Sequence, residues 1–368
     1  MKTLKKKKKA NKVYSHIAEI PKGTASDRIT EGCLVLEGGA FRGLYTQGFL
    51  DAMMVHDLNM QCVIGVSAGA LGGMNYVSGQ IGRSARVNLG FRHDSRYVGA
   101  KALVHGHSIL DVGFLTEERG IFGSIDRERF ERPERRFIAV TTNCLTGEAT
   151  YFEKGKCSDI MLAVQASATM PYISPMVMID GTPHLDGGCA CKIPYRWALD
   201  QGFEKIVVIR TRDPEFRKKE KKTSERAAFR VYHKYPEFAQ KLANSIADYN
   251  MQCDEIEKLH AEGALLRIAP SAPVNVSHLY DPGIFQDLEM MGDGRPRQVG
   301  PCCDVRHPRA VVIHADHLQY DMLARLIADR GQRFPARFKI HRQIFNFIPY
   351  VFHNNCLRNN WFKYLNRL

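Results

Sequence analysis

No run in this 368-residue chain approaches the roughly 18 consecutive apolar residues of a membrane-spanning helix, so none is expected. The basic N-terminus also lacks the apolar core of a secretory signal, because residues 13–20 are interrupted by Ser15, His16 and Glu19. A cytoplasmic protein is the expectation, and its ten cysteines then read as reduced thiols. No Cys-x-x-Cys pair occurs. Cys302, Cys303, His307, His314 and His317 lie close in sequence, but their spacing matches no standard zinc pattern, and unrelated surface residues are expected there. No metal and no cofactor is therefore implied. No internal repeat is visible either.

What the chain does have is length for one large domain or two ordinary ones, and 44% hydrophobic residues to build a substantial core. Its net charge is +13, carried partly by Lys5-Lys6-Lys7-Lys8-Lys9 and partly by Arg217-Lys218-Lys219-Glu220-Lys221-Lys222. Solvated tail and loop are the plain account of both stretches; attraction to anionic lipid head groups is the sharper one, and nucleic acid is not an expected partner. Near the C-terminus Phe338, Phe345, Phe347, Tyr350, Phe352, Trp361, Phe362 and Tyr364 alternate with Arg337, Lys339, Arg342, Arg358, Lys363 and Arg367. Such interleaving suits a bilayer interface and equally a helical appendage packed on the main domain.

The most informative stretch is Gly65-Val66-Ser67-Ala68-Gly69. It follows the apolar run Cys62-Val63-Ile64, which reads as a buried strand, and precedes Ala70-Leu71-Gly72-Gly73-Met74, which can continue as a closely packed helix. Strand, sharp turn and helix are the layout of a nucleophile elbow, where a serine sits strained at the tip and residues two before and two after must be nearly free of side chain. Glycines flank a serine in this way by chance in about one chain in ten of this composition, so the context carries more weight than the motif. The helix start also brings N–H groups and a positive dipole end beside Ser67, where an oxyanion would form.

Upstream, the expected strand Cys33-Leu34-Val35-Leu36 runs into Glu37 and then Gly38-Gly39-Ala40-Phe41-Arg42-Gly43, with a helix expected over residues 44–58. A phosphate loop is the minority reading, because Ala40 replaces a glycine of the dinucleotide fingerprint and Arg42-Gly43-Leu44 does not end a Walker loop. Two consecutive strands delivering their C-terminal ends to one edge of a parallel sheet would set the N–H groups of residues 38–43 facing Ser67, as an oxyanion hole. Arg42 would hold that loop or add positive charge.

Residues 78–136 are expected to be helices and loops over the site, a candidate lid, with His93, His105 and His107 as surface residues. Strands are expected at residues 137–141 and 149–152 and a helix at 159–168, stopped by Pro171. Asp180-Gly181 reads as a hairpin turn, and Asp186-Gly187-Gly188 as a second bend. A carboxylate on a tight turn is ordinarily a turn-former; beside an elbow and an oxyanion loop Asp186 becomes the candidate base. His184 is the rival base, less favoured because it would sit on the strand. Residues 193–202 read as a helix, 205–209 as a buried parallel strand, 223–263 as one or two long helices and 264–269 as the last strand.

The loop Gly38-Gly39-Ala40-Phe41-Arg42-Gly43, the elbow and Asp186-Gly187-Gly188, with Ala166-Ser167-Ala168-Thr169-Met170-Pro171 before the last, resemble the patatin-like phospholipase family in order and approximate spacing, from about residue 32 to about residue 295. The chain looks most like the bacterial branch. The resemblance implies a three-layer α/β/α sandwich with a mostly parallel sheet, flanked here by a basic arm (1–31) and a basic, aromatic extension (296–368). It also implies Ser67 as nucleophile and Asp186 as its only partner, a dyad without histidine. The substrate would be a lipid ester, met at an anionic membrane surface or in the cytoplasm. Two positions depart from the family pattern: Glu37 stands where many members have Asp, and Ala40 replaces a glycine, which would strain the loop if left-handed geometry were needed there. An ordinary Ser-Asp-His hydrolase fits less well, because its elbow follows several strands and Ser67 follows only the second. A catalytically silent binding module on the same fold is the alternative from another class.

Overall fold

A computed structural model of the chain describes residues 18, 20–91, 94, 97, 124–219, 222–271 and 274. The pentalysine, the histidines at 93, 105 and 107, residues 98–123 of the candidate lid, the 302–317 Cys/His group and the C-terminal extension lie outside the described residues. In chain order the elements are β1 (Gly23–Thr24), β2 (Thr30–Leu36), α1 (Gly43–Val55), β3 (Met60–Val66), α2 (Ala68–Val77), β4 (Gln80–Ile81), α3 (Arg83–Phe91) and α4 (Arg127–Glu131). There follow β5 (Arg136–Asn143), β6 (Ala149–Glu153), α5 (Ile160–Ser167), β7 (Val177–Ile179), β8 (Thr182–Asp186), α6 (Tyr195–Asp200), β9 (Ile206–Ile209), α7 (Lys222–Val231), α8 (Pro236–Ala261) and β10 (Leu266–Ile268).

Eight strands form one sheet in the order β10-β9-β2-β3-β5-β8-β7, with β6 also paired to β5. The five strands from β10 to β5 run parallel, while β6 and β8 pair antiparallel with β5 and β7 pairs antiparallel with β8. Parallel strands are stable when both faces are covered, and side-chain alternation shows that they are. Cys33, Val35, Cys62, Ile64, Val66, Ile138, Val140, Ile206 and Val208 point to one face, where Tyr195 and Ala198 of α6 and Tyr249, Cys253 and Ile256 of α8 complete a core. On the other face α2 lies so close that a Cβ added at Gly73 would stand 3.0–3.1 Å from Val63, Leu36 and Phe137. Helix, sheet and helix thus make the three expected layers.

The local signals behave as the sequence suggests. Asp159 caps α5 by accepting from Met161 and Leu162 N–H at 2.9 and 3.0 Å, and Pro236 opens α8 where its missing N–H has no helical partner to lose. Asp180 and Gly181, both with positive φ, form the tight turn joining β7 to β8. The arm is shorter than the sequence suggests. Residues 20–31 already pack on the domain: Ile20 and Ala25 are buried, β1 pairs with β4, and Arg86 donates to the Pro21 carbonyl. Among the described residues no helix is long and apolar enough to cross a membrane, and no group of three or more His, Cys, Asp and Glu is placed to hold a metal ion.

Candidate active site

β3 ends at Val66 and α2 begins at Ala68, so Ser67 alone makes the turn, with φ 56° and ψ −121°. That left-handed conformation costs a non-glycine residue about 1–3 kcal/mol and persists only where its surroundings hold it. They do so through backbone contact. A Cβ at Gly65 would stand 2.5 Å from the Gly69 carbonyl carbon, and one at Gly69 would stand 2.5 Å from the Leu36 oxygen. Ser167 supplies a further hold: its Oγ accepts from Ser67 N–H at 2.8 Å and donates to the Val140 carbonyl at 2.6 Å.

The glycine loop lies directly against this turn. β2 and β3 pair in register, Leu36 opposite Gly65, and a Cβ at Gly38 would stand 3.1 Å from the Ser67 Cβ. The N–H groups of Gly38, Gly39 and Ala40, and that of Ala68 at the start of α2, meet no acceptor among the described residues. Arg42 N–H donates to the Gly39 carbonyl at 3.0 Å and Gly43 N–H to the Ala40 and Phe41 carbonyls. The donors free to meet an oxyanion are therefore fewer than the expected run from 38 to 43, because the loop closes on itself as a 3-10 turn. Ala40 has φ 49°, the left-handed geometry that its Cβ disfavours.

Asp186 reaches Ser67 by a feature of the sheet. On one edge β5 pairs with β3 up to Val140 opposite Val66, and on the other edge with β6 through Thr142. β3 stops there, and β8 takes the place it vacates, with Asp186 opposite Thr141. Two strands thus meet end to end beside β5, and Asp186 stands at the junction. Its Oδ1 accepts from Gly188 N–H at 2.7 Å, and Ser67 is near enough to its carboxylate to favour the ionised form. Burial pushes its pKa up to about 6, against the opposing pull of the Gly188 N–H, the Ser67 hydroxyl, Lys192 and Lys218. Val66 and Ala68 flank the serine as elbow backbone, and Gly187 and Gly188 carry the chain away in a second 3-10 turn.

His184 lies two residues back along β8, opposite Asn143, where its Nδ1 is 2.9 Å from Thr141 Oγ1 and its ring meets Phe152 edge-on at 5.3 Å. Burial lowers its pKa, keeping it neutral. Among the described residues no histidine is bonded to Ser67 or Asp186.

Several supporting residues carry no motif in the sequence. Glu37, buried at the end of β2, accepts from Thr211 N–H at 2.5 Å and from the Tyr249 hydroxyl at 2.9 Å. Thr211 in turn donates to the Gly38 carbonyl at 3.2 Å, so Glu37 fixes the glycine loop through β9 and α8. Lys192 donates to the Gly188 and Ser245 carbonyls at 2.5 and 3.0 Å, pinning the turn after Asp186. Of these supports, Ser167 falls inside a stretch that the family resemblance marks, and Glu37 stands at a position where this chain departs from the family pattern.

The family model of patatin-like phospholipases matches residues 34–199, which include the loop, the elbow and the Asp186 turn. The uncharacterized protein YjjU of Escherichia coli K12 is 27% identical over 183 residues, 48% of this chain and 51% of the relative. The chain thus spans about half the length of that curated relative. The crystal structure of VipD from Legionella pneumophila aligns at 13% identity with a TM-score of 0.39, covering 89% of this chain and 72% of the other. At that score it bears on neither fold nor function. The sheet, the elbow and the family match coincide over one segment, and residues 34–199 are similar throughout to a patatin-like phospholipase domain.

Proposed function

We propose that the protein is a serine acyl hydrolase that cleaves lipid carboxylic esters through an acyl-enzyme on Ser67, with Asp186 as its general base. The observation that carries this is the meeting of two strand ends beside β5, which sets Ser67, at the tip of a strained turn, next to the buried Asp186 carboxylate. In the first half-reaction Ser67 Oγ attacks the ester carbonyl and its proton passes to Asp186. The carbonyl oxygen gains negative charge against the free N–H groups of Gly38, Gly39, Ala40 and Ala68 and the positive end of α2. Collapse breaks the C–O bond, the leaving alkoxide takes the proton from Asp186, and the acyl group stays on Ser67. Water then repeats the sequence: Asp186 takes its proton, the acid departs, and Ser67 is protonated again.

A carboxylate is a weak base toward a hydroxyl, so proton transfer must accompany C–O bond formation. Burial improves the match, because a carboxyl near pKa 6 holds a proton more strongly than an exposed one while remaining ionised at neutral pH. Contact with an anionic bilayer, from a cytoplasmic location, belongs to the same proposal. It is supported by exposed Tyr172, Ile173 and Met178 before and within β7, and by Phe229 and Val231 of α7 beside exposed Arg226 and Arg230. Tyr172 and Tyr232 join the two segments, with ring centroids 5.5 Å apart.

Labelling of the purified full chain with a fluorophosphonate probe, with and without liposomes, tests the chemistry. Wild type is expected to label, Ser67→Ala not at all, and Asp186→Ala much more slowly. A folded wild type that takes up no probe under either condition would favour the silent binding module instead.

A further inference from the structure

Lys192 ties the turn that carries Asp186 to α8. Its side chain reaches back four residues to donate to the Gly188 carbonyl at 2.5 Å and across to the Ser245 carbonyl at 3.0 Å. Gly188 in turn gives its N–H to Asp186 Oδ1 at 2.7 Å. A single residue thus stands between ammonium and carboxylate. One residue spans about 3.6 Å at most, so Nζ and Oδ1 lie no more than about 9 Å apart. Only glycine leaves both groups room: a Cβ at Gly188 would stand 3.0 Å from Asp186 Oδ1 and 3.7 Å from Lys192 Cγ.

Among the described residues no carboxylate forms an ion pair with Lys192. Asp248, on the same stretch of α8, is taken by Lys241 at 3.2 Å. The other groups around the pair are Cys189 and Cys191 on the turn, His184 on β8, Ser67 at the elbow and Lys218 after β9. Burial raises both thiols and lowers the histidine, so all three are neutral. Two cations therefore face the base, and Lys218 Nζ is engaged 4.4 Å above the Tyr249 ring. Lys192 alone is bonded to the turn itself. The anchor it uses also serves the other half of the site, because Tyr249, one turn after Ser245, holds Glu37 and through it Thr211 and the glycine loop.

We propose that Lys192 is a positioning residue for the hydrolysis: it fixes the Asp186 turn against α8 and places a positive charge across Gly188 from the base, keeping that base ionised to receive the Ser67 proton. The kinetic consequence rests on the acyl-hydrolase reading; the effect on Asp186 itself does not.

The test separates the charge from the hold. Lys192→Gln keeps an amide donor for the carbonyls and removes the charge, whereas Lys192→Met removes both. In full-length protein carrying carbon-13 aspartate, the Asp186 carboxyl, identified by its absence in Asp186→Asn, is expected to titrate at about pH 6 in wild type. Loss of a nearby cation disfavours the carboxylate, so in both variants this titration should move up by about 0.5–1 unit. The acid limb of fluorophosphonate labelling should move with it. At pH 8 Lys192→Met, with the turn released, should label about tenfold more slowly than Lys192→Gln. Lys258→Gln removes a charge about 20 Å further along α8 and should move neither profile.

An Asp186 titration unmoved in Lys192→Gln, or moved as far by Lys258→Gln, would overturn the proposal. So would slower labelling of the Lys192 variants with an unchanged pH profile, which is what a merely structural lysine gives. Should Lys192→Met not fold, Lys192→Gln decides the matter. A wild type that takes up no probe, while Asp186 still titrates higher in Lys192→Gln, would sink the hydrolase reading alone.

Discussion

Ser67 leaves the sheet at the end of a parallel strand whose Val63, Ile64 and Val66 are fully buried, whereas Asp186 arrives on a five-residue antiparallel strand whose hairpin partner exposes 55% of Met178. The serine side is held by backbone against backbone, with contacts that admit no side chain. The aspartate side is held by side chains, through Lys192 and Thr142, and by its own turn. The difference is one of tolerance. Backbone contacts fail when a single carbon is added, while a hairpin held by hydrogen bonds can shift and still close.

The largest effect should come from the junction itself. Asp186→Asn leaves the shape but removes the base, and a loss of about 10³-fold or more in hydrolysis is expected, with the remainder due to the oxyanion donors. In wild type the acid limb of kcat/KM should fall near pH 6, where Asp186 takes up a proton. Stability should show the opposite sign. The folded pKa lies above the ordinary carboxylate value, so folding gains from protonation below about pH 6 and bears the cost of a buried charge above it. Asp186→Asn should therefore melt higher than wild type at pH 8, and that advantage should fade as the pH falls toward 4. A Tm difference independent of pH would show that the burial argument is wrong.

The contrast in tolerance is tested by one substitution on each side. Gly69→Ala forces a carbon to within 2.5 Å of the Leu36 oxygen and should cost about 3 kcal/mol or more in urea unfolding. Gly181→Ala, at φ 78° with nothing within 4 Å, should cost only the left-handed penalty of about 1 kcal/mol. Similar losses for the two would break the comparison. Ser167→Ala strands the Ser67 N–H, and about 1–3 kcal/mol of stability should go with it, together with slower probe labelling. The smallest effect is a gain: Ala40→Gly relieves the left-handed Ala40 and should stabilise the fold by about 0.5–1 kcal/mol.

Much of the frame was legible because it depends on neighbours in sequence. The glycines around Ser67, the Asp180-Gly181 turn and the apolar strands all act within a few residues, so pattern and position coincide. The extent of the arm was not legible, because Ile20 and Gly23–Thr24 are held by β4 and α3, distant in sequence. Nor was the narrowing of the oxyanion donors, since whether Arg42 and Gly43 N–H groups are free depends on how tightly the loop curls.

The sequence by itself determined that a serine must turn sharply between a buried strand and a helix, because only glycine fits two residues to either side. It also placed a carboxylate on a bend before two glycines. Only the tertiary structure decided that these two residues meet. That meeting requires β3 to stop at Val66 and β8 to continue its lane beside β5, a register set by pairings between residues 41 to 74 positions apart. The same holds for Glu37 with Thr211 and Tyr249. Hydrogen bonds and charges act over a few ångströms of space, and chain order does not measure that distance.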